Sequence, residues 1–292
     1  DFKKMLKATR AELIAIASPS TLHAPQTIAA LKAGKHVVVE KPMSTTLAEA
    51  DRMIRTAQST RKKLFIHQNY RWQTSFVFIR DMLATKKLGK LFHIGYVRHS
   101  FNRRNDWQCL RKFGGGLLNN HITHPLDFAM SLVDAPVTDV LADMKHISDA
   151  GDVEDHVNML LRTKNGIAIH MDLSTSAASA QNAPEWTFLC TNGAMTVDAG
   201  KAQLKYFDPR KVKPLKVDAT TAVPGRKYGN DDKLPWESEE IEAKTDKNTS
   251  FYGDVFGTLR GRKRFPIDPK QVREMMRVLS VCRKQNPKFP GK

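Results

Sequence analysis

Apolar residues in the first 70 positions come in short runs separated by stretches of helical spacing. Leu13 to Ala17 (LIAIA) reads as a buried strand ending at the turn Ser18-Pro19-Ser20. Pro25 to Ala33 carries Ile28 and Leu31 on one helical face and stops at Gly34, a good C-terminal signal. Val37 to Val39 is the next buried strand. Thr46-Leu47-Ala48-Glu49 then has the capping-box pattern, with Leu47, Ala50 and Ile54 along one face of the helix that follows. Leu64 to Ile66 is a third strand. The order β-α-β-α-β with wholly apolar strands predicts parallel pairing through helical crossovers, half of a doubly wound nucleotide-binding sheet.

From residue 70 onward the pattern changes. Ser75 to Thr85 is an apolar-faced helix closed by Leu88-Gly89. Val157 to Arg162 meets Ile167 to Leu173 through Asn165-Gly166, and Trp186 to Cys190 meets Ala194 to Val197 through Asn192-Gly193, which are hairpin signals. Residues 208–248 are polar, charged and proline-containing, as in a long excursion from a sheet. Asp268-Pro269 opens a last helix with Val272, Met275, Met276 and Leu279 inward. The expected fold is α/β plus α+β: a truncated parallel sheet in residues 1–69, then a domain over residues 70–292 with a large, mostly antiparallel open sheet.

Composition narrows the class. The chain has 292 residues, 41% of them hydrophobic, enough for a sizeable core. No apolar run approaches the roughly 20 residues of a membrane helix. Three widely spaced cysteines (Cys109, Cys190, Cys282) are in no metal-ligand spacing and favour a reducing compartment. Cytoplasmic is the expected location, with export left open because the chain starts at Asp1. The net charge of +17 sits at the two ends: residues 1–70 hold 12 basic and 5 acidic side chains, residues 71–200 hold 13 of each, and residues 201–292 hold 22 and 12. The basic residues are not interleaved with aromatics or glycines as in nucleic-acid modules, so neither a nucleic acid nor a membrane is an expected partner.

Two stretches carry candidate chemistry. Open parallel sheets bind ligands outside the carboxyl ends of their strands, and Glu40-Lys41-Pro42 falls there, straight after Val37 to Val39. Pro42 restricts Lys41 to extended geometry, so the ammonium can be aimed; a cis Lys41–Pro42 bond is one option. A surface ion pair of Glu40 is the plainer alternative. The second stretch is FGGGLLNNHITHPLD, residues 113–127, in which Gly114 to Gly116 permit a close backbone approach. Asn120, His124 and Asp127, spaced i, i+4, i+7, would share a helical face. An imidazole beside an amide and a carboxylate suits a proton acceptor, and a structural histidine is the alternative.

Together these stretches resemble the Gfo/Idh/MocA family of nicotinamide-dependent oxidoreductases. The resemblance runs from ASPSTLHAPQTIAALKAGKHVVVEKP through NYRWQ (69–73) and LGKLFHIG (88–95) to the glycine-histidine motif at 114–124, and covers essentially the whole chain. It implies a Rossmann-like first domain, NAD or NADP as cofactor, and a small sugar, cyclitol or other polyol as substrate. The charge balance of residues 71–200 suits a neutral substrate of that kind. By resemblance, Lys41 bonds the reacting hydroxyl and His124 takes its proton. Asn120 stands where the family has aspartate; as a catalytic and substrate-binding residue it would still orient the substrate hydroxyl, but adds no negative charge to raise the basicity of His124. Ser18, Pro19, His23, Glu40 and Pro42, with Lys41, would shape the cofactor pocket, while Arg71 and Trp72 would face substrate. His121 has no assigned role, no metal is implied, and homo-oligomers would form through the second sheet.

The sequence also departs from the family. It contains no G-x-G-x-x-G, the turn whose backbone N–H groups hold a pyrophosphate; Gly114 and Gly116 fit two positions but Asn119 occupies the third. The first β-α-β unit and the acidic residue that reads the ribose are therefore expected to be missing, either because the sequence is a piece of a longer protein or because they have been lost. The dehydrogenase expectation depends on such an upstream segment. The alternatives are a non-catalytic binding or oligomerisation module and an NAD-assisted glycoside hydrolase.

Overall fold

The computed structural model describes residues 1–178, 183–217, 232–247 and 249–289. After a short helix α1 (Phe2–Ala8), the chain forms β1 (Leu13–Ile16), α2 (His23–Lys32), β2 (His36–Val39), α3 (Leu47–Ser59) and β3 (Leu64–Ile66). The three strands pair in parallel in the order β1-β2-β3. Val37 to Val39 and Leu64 to Ile66 are buried throughout, as the unbroken apolar runs require. The capping box is present: Thr46 Oγ1 accepts from Glu49 N, and Thr46 N donates to Glu49 Oε2, each at 3.2 Å. Caps of this kind contribute about 1 kcal/mol.

A one-turn 3-10 helix at Asn69–Trp72 leads into α4 (Thr74–Ala84) and β4 (Leu91–His99). A π-helical turn, Leu118–Ile122, runs into α5 (Thr123–Val133). Strands β5 (Val137–Lys145), β6 (His156–Thr163), β7 (Ala168–Ser174), β8 (Trp186–Cys190), β9 (Gly193–Asp198), β10 (Lys201–Tyr206) and β11 (Glu237–Glu242) follow. With β4 they form an eight-stranded sheet in the order β11-β10-β9-β8-β4-β7-β6-β5. All its neighbours are antiparallel except β4 and β7.

Both predicted hairpins are present, and their turns sit at Asn165-Gly166 and Thr191-Asn192, so Gly193 begins β9 instead of forming its turn. Part of the expected excursion is itself sheet: β11, with the sequence ESEEIE, is the charged edge strand beside β10. Residues 218–231 and 248 of that stretch lie outside the described residues.

One face of the large sheet is covered by helices. Trp186 on β8 is buried against Phe76 of α4 and Phe128 of α5, with ring centroids 5.8 and 5.4 Å apart. The final helices are α6 (Phe251–Leu259) and α7 (Pro269–Gln285). Asp268 caps α7 by accepting from Lys270 N at 2.9 Å. α7 packs on β5 and α5 of the second half, and on α3 and β3 of the first. Arg273 adds an ion pair to Asp51 of α3 at 2.6 Å. The last helix thus holds the two sheets together and fixes the strand ends of one against the π-helical turn of the other.

Candidate active site

The carboxyl ends of β1, β2 and β3 supply Ser18-Pro19, Glu40-Lys41-Pro42 and His67 to one edge of the parallel sheet. Buried His23 braces the first two loops, with Nδ1 2.7 Å from Pro42 O and Nε2 2.8 Å from Ser18 O. Burial lowers its pKa despite both carbonyls, so the neutral ring donates to one of them at a time. Ser18 Oγ donates to Gln26 Oε1 at 2.8 Å. The Lys41–Pro42 bond is cis. β3 is joined to β2 by His67, whose Nδ1 donates to Glu40 Oε1 at 2.5 Å. Burial works against ionised Glu40, but the His67 bond and the neighbouring His67 and Lys41 hold its pKa below the ordinary value.

Lys41 reaches across to the second half of the molecule, where Nζ donates to the main-chain oxygen of Asn120 at 2.5 Å. Burial, helped by Arg104 and opposed by Glu40, brings its pKa down to about 8. Asn120 lies on the π-helical turn, a distortion found frequently at functional sites. The three glycines before it shape the entry: Gly116 has φ +100°, and a Cβ there would lie 2.4 Å from Glu154 Oε1. That buried carboxylate accepts Leu118 N at 2.9 Å. Asn119 donates to Gly114 O at 3.0 Å and accepts from Arg283 of α7. The turn is therefore anchored by groups far away in sequence.

His124, one turn beyond Asn120, stacks on Tyr70 with ring centroids 3.8 Å apart and planes 7° apart. Its Nδ1 is buried and has no partner among the described residues. Burial, then Lys41, His121 and His67, drive its pKa down to about 3, and His121 falls to about 4 through burial and the charges of Lys41, Arg98 and Arg104. Both rings are neutral at pH 7. The site thus combines a half-buried ammonium, a neutral imidazole and an aromatic wall at the carboxyl edge of a parallel sheet, which suits binding a hydroxyl and accepting its proton.

Several expected residues have other contacts. Arg71 makes a bidentate pair with buried Asp127, Nε to Oδ2 at 2.6 Å and Nη2 to Oδ1 at 2.8 Å. Asp127 is therefore held by Arg71, and the π-helical turn at Leu118–Ile122 breaks the regular spacing between Asn120 and the two residues that lie on α5. Trp72 donates its Nε1 to Asp254 at 2.8 Å and packs on Phe251 and Phe265. His67, Tyr70, Arg98 and Arg104 join the residues expected from the sequence. His67 could have been found by the rule that selected Lys41, since it directly follows a buried parallel strand.

The nicotinamide end of a dinucleotide fits these residues: the ammonium of Lys41 and the unpartnered Nδ1 of His124 lie by three strand ends where ligands of such sheets bind. No glycine-rich phosphate turn accompanies them in the sequence. Among the described residues, no group of His, Cys, Asp and Glu could hold a metal ion, and no helix is long and apolar enough to cross a membrane.

Residues 1–68 match a family model described as the oxidoreductase family with NAD-binding Rossmann fold, and residues 76–196 match the GFO/IDH/MocA C-terminal domain. The chain belongs to the Gfo/Idh/MocA family. It is 29% identical over 185 residues to the uncharacterized oxidoreductase YdgJ of Escherichia coli, covering 61% of this chain and 52% of that protein. It is likewise 29% identical over 182 residues to the myo-inositol 2-dehydrogenase of Thermotoga maritima, covering 61% and 54%. The chain spans about half the length of these curated relatives. The crystal structure of an NAD-binding protein from Listeria innocua superimposes with a TM-score of 0.80 at 23% identity, covering 98% of this chain and 82% of that one.

Proposed function

We propose that the chain carries the substrate side of an oxidoreductase that moves a hydride between a secondary alcohol of a sugar or cyclitol and NAD or NADP. The observation that supports this most is the Lys41 ammonium, set against Asn120 O at 2.5 Å beside a neutral His124. The myo-inositol 2-dehydrogenase among the relatives supports a polyol substrate. When bound, the nicotinamide supplies the hydride acceptor. Lys41 donates a hydrogen bond to the reacting hydroxyl and opposes the charge that grows on its oxygen. His124 takes the hydroxyl proton as the C–H electron pair leaves the same carbon. Glu40, held by His67, keeps the Lys41 ammonium charged, and Tyr70 fixes the plane of the imidazole. Ser18, Pro19, His23 and Pro42 form the wall of the cofactor pocket.

Residues 1–69 and 70–292 act as cofactor and substrate domains in this reading. The open face of the large sheet, where Leu141 and Leu160 pair across β5 and β6 at 68% and 46% exposure, serves a second copy. A non-catalytic binding module is the alternative reading. NADH titration followed by nicotinamide fluorescence, with an inositol oxidation assay, separates the two. Binding weakened by Lys41→Ala and turnover abolished by His124→Ala support the enzyme. NADH binding indifferent to both substitutions, with no turnover, refutes it.

A further inference from the structure

The proton-transfer site leaves two arginines and one histidine unused, and they line the same space. A cavity of about 120 Å³ is bounded by Arg98, Ser100, Asn102, Arg104 and His121, among others, and among the described residues no aspartate or glutamate lines it. The carboxylates nearest the two guanidiniums lie outside it. Glu185 stands 4.0 Å from Arg98 and already accepts the Tyr96 hydroxyl at 3.0 Å, while Asp106 meets Arg104 at 2.6 Å on the exposed side. The field inside is positive: Lys41, Arg98 and Arg104 all act on the half-buried His121 ring, which stays neutral and can donate one N–H.

The cavity adjoins the place where an alcohol would react. Arg98 and Ser100 also line a larger cleft of about 690 Å³, and so does Tyr70, the residue stacked on His124. A ligand with a hydroxyl at His124 can extend a charged end towards Arg98. Two guanidinium forks in a small space lined by hydroxyl and amide groups match an oxyanion bound by several charge-assisted hydrogen bonds.

We propose that this cavity is an anion subsite of the same active site, and that the substrate is a polyhydroxylated acid or phosphate ester held by Arg98 and Arg104. This rests on the oxidoreductase reading and narrows it. The even charge count of residues 71–200 had suggested a neutral substrate, but a regional count averages over the two arginines that face the cavity.

The test is calorimetric titration of the full chain with galactose, galacturonate and galactose 6-phosphate at fixed ionic strength, with NADH titrated in parallel. At least one anionic sugar is expected to bind roughly tenfold or more tightly than galactose. Preference for galacturonate identifies a carboxylate, and preference for the phosphate identifies an ester. Arg98→Gln and Arg104→Gln should each remove most of the preference for the anion over galactose. Equal binding of all three, no binding of either anion, or a preference that survives in the double variant overturns the proposal. Absence of NADH binding alongside an arginine-dependent anion preference sinks the redox reading and leaves the subsite. NADH binding without that preference does the reverse.

Discussion

Lowering the pH from 7 to 5 tests whether His121 and His124 are held neutral by the fold. Burial acts first on both rings. The charged and titratable groups facing them are Lys41 after β2, His67 after β3, Arg98 on β4, Arg104 in the following loop, and each other. Their folded pKa values, about 4 and about 3, lie below the 6.5 of an ordinary histidine. Below pH 6.5 the unfolded chain therefore binds more protons than the native one. Stability from this source is complete above pH 6.5 and is lost as the pH falls towards the folded values. At pH 5 each ring has lost about 2 kcal/mol, or about 3 to 4 kcal/mol for the pair. Urea unfolding of the wild type and of His121→Gln/His124→Gln at pH 7 and pH 5 measures this. Burial also lowers His23, His36, His93 and His156, but these act in both proteins, so the difference between them isolates the pair. Equal losses in the two proteins, or imidazole resonances of residues 121 and 124 that titrate near pH 6.5, would show that the rings are not held neutral.

Arg71→Ala leaves Asp127, only 3% exposed, as an unpaired buried carboxylate and should cost about 3 to 5 kcal/mol in denaturant unfolding. Arg71→Met/Asp127→Leu should recover most of that loss, and a stable single variant would assign Arg71 to ligand instead of structure. Gly116→Ala adds a methyl against the Glu154 carboxylate at positive φ, and thermal unfolding should register at least about 2 kcal/mol of destabilisation. Glu40→Gln removes the charge that raises the Lys41 pKa, so Lys41 should lose its proton below its present value of about 8. NMR of ¹³C-methylated lysines reads the shift directly, and a shift upward refutes the stated role of Glu40.

The parallel half was legible in the sequence because its strands are continuous apolar runs and its helix start carries both members of the capping box. Two hairpins were legible from Asn-Gly pairs between alternating strands. β11 was not, because its glutamates hide the alternation; an edge strand needs no apolar face when charge is what discourages further pairing. α6 was also missed, since the phenylalanines and glycines of FYGDVFGTL are poor helix formers and the helix depends on tertiary packing of Phe251 and Val255. In the site, Lys41 and His124 could be named from local motifs. The pairing of Arg71 with Asp127 and of His67 with Glu40 spans 56 and 27 residues, and no local pattern records it.

The asparagine at position 120 is one of the two departures from the family pattern, and its geometry shows what the exchange leaves intact. Lys41 does not use the side chain of this residue; it bonds the main-chain oxygen, which asparagine and aspartate supply equally. What asparagine does withhold is negative charge beside His124, whose surroundings are dominated by burial and by cations. The ammonium keeps its position while the imidazole remains a weak base, tuned downward by neighbours that include Lys41 itself. An anion entering between Arg98 and Arg104 would offset part of that positive field. Substrate charge would then raise the basicity of the histidine in the bound complex, when there is a proton to accept.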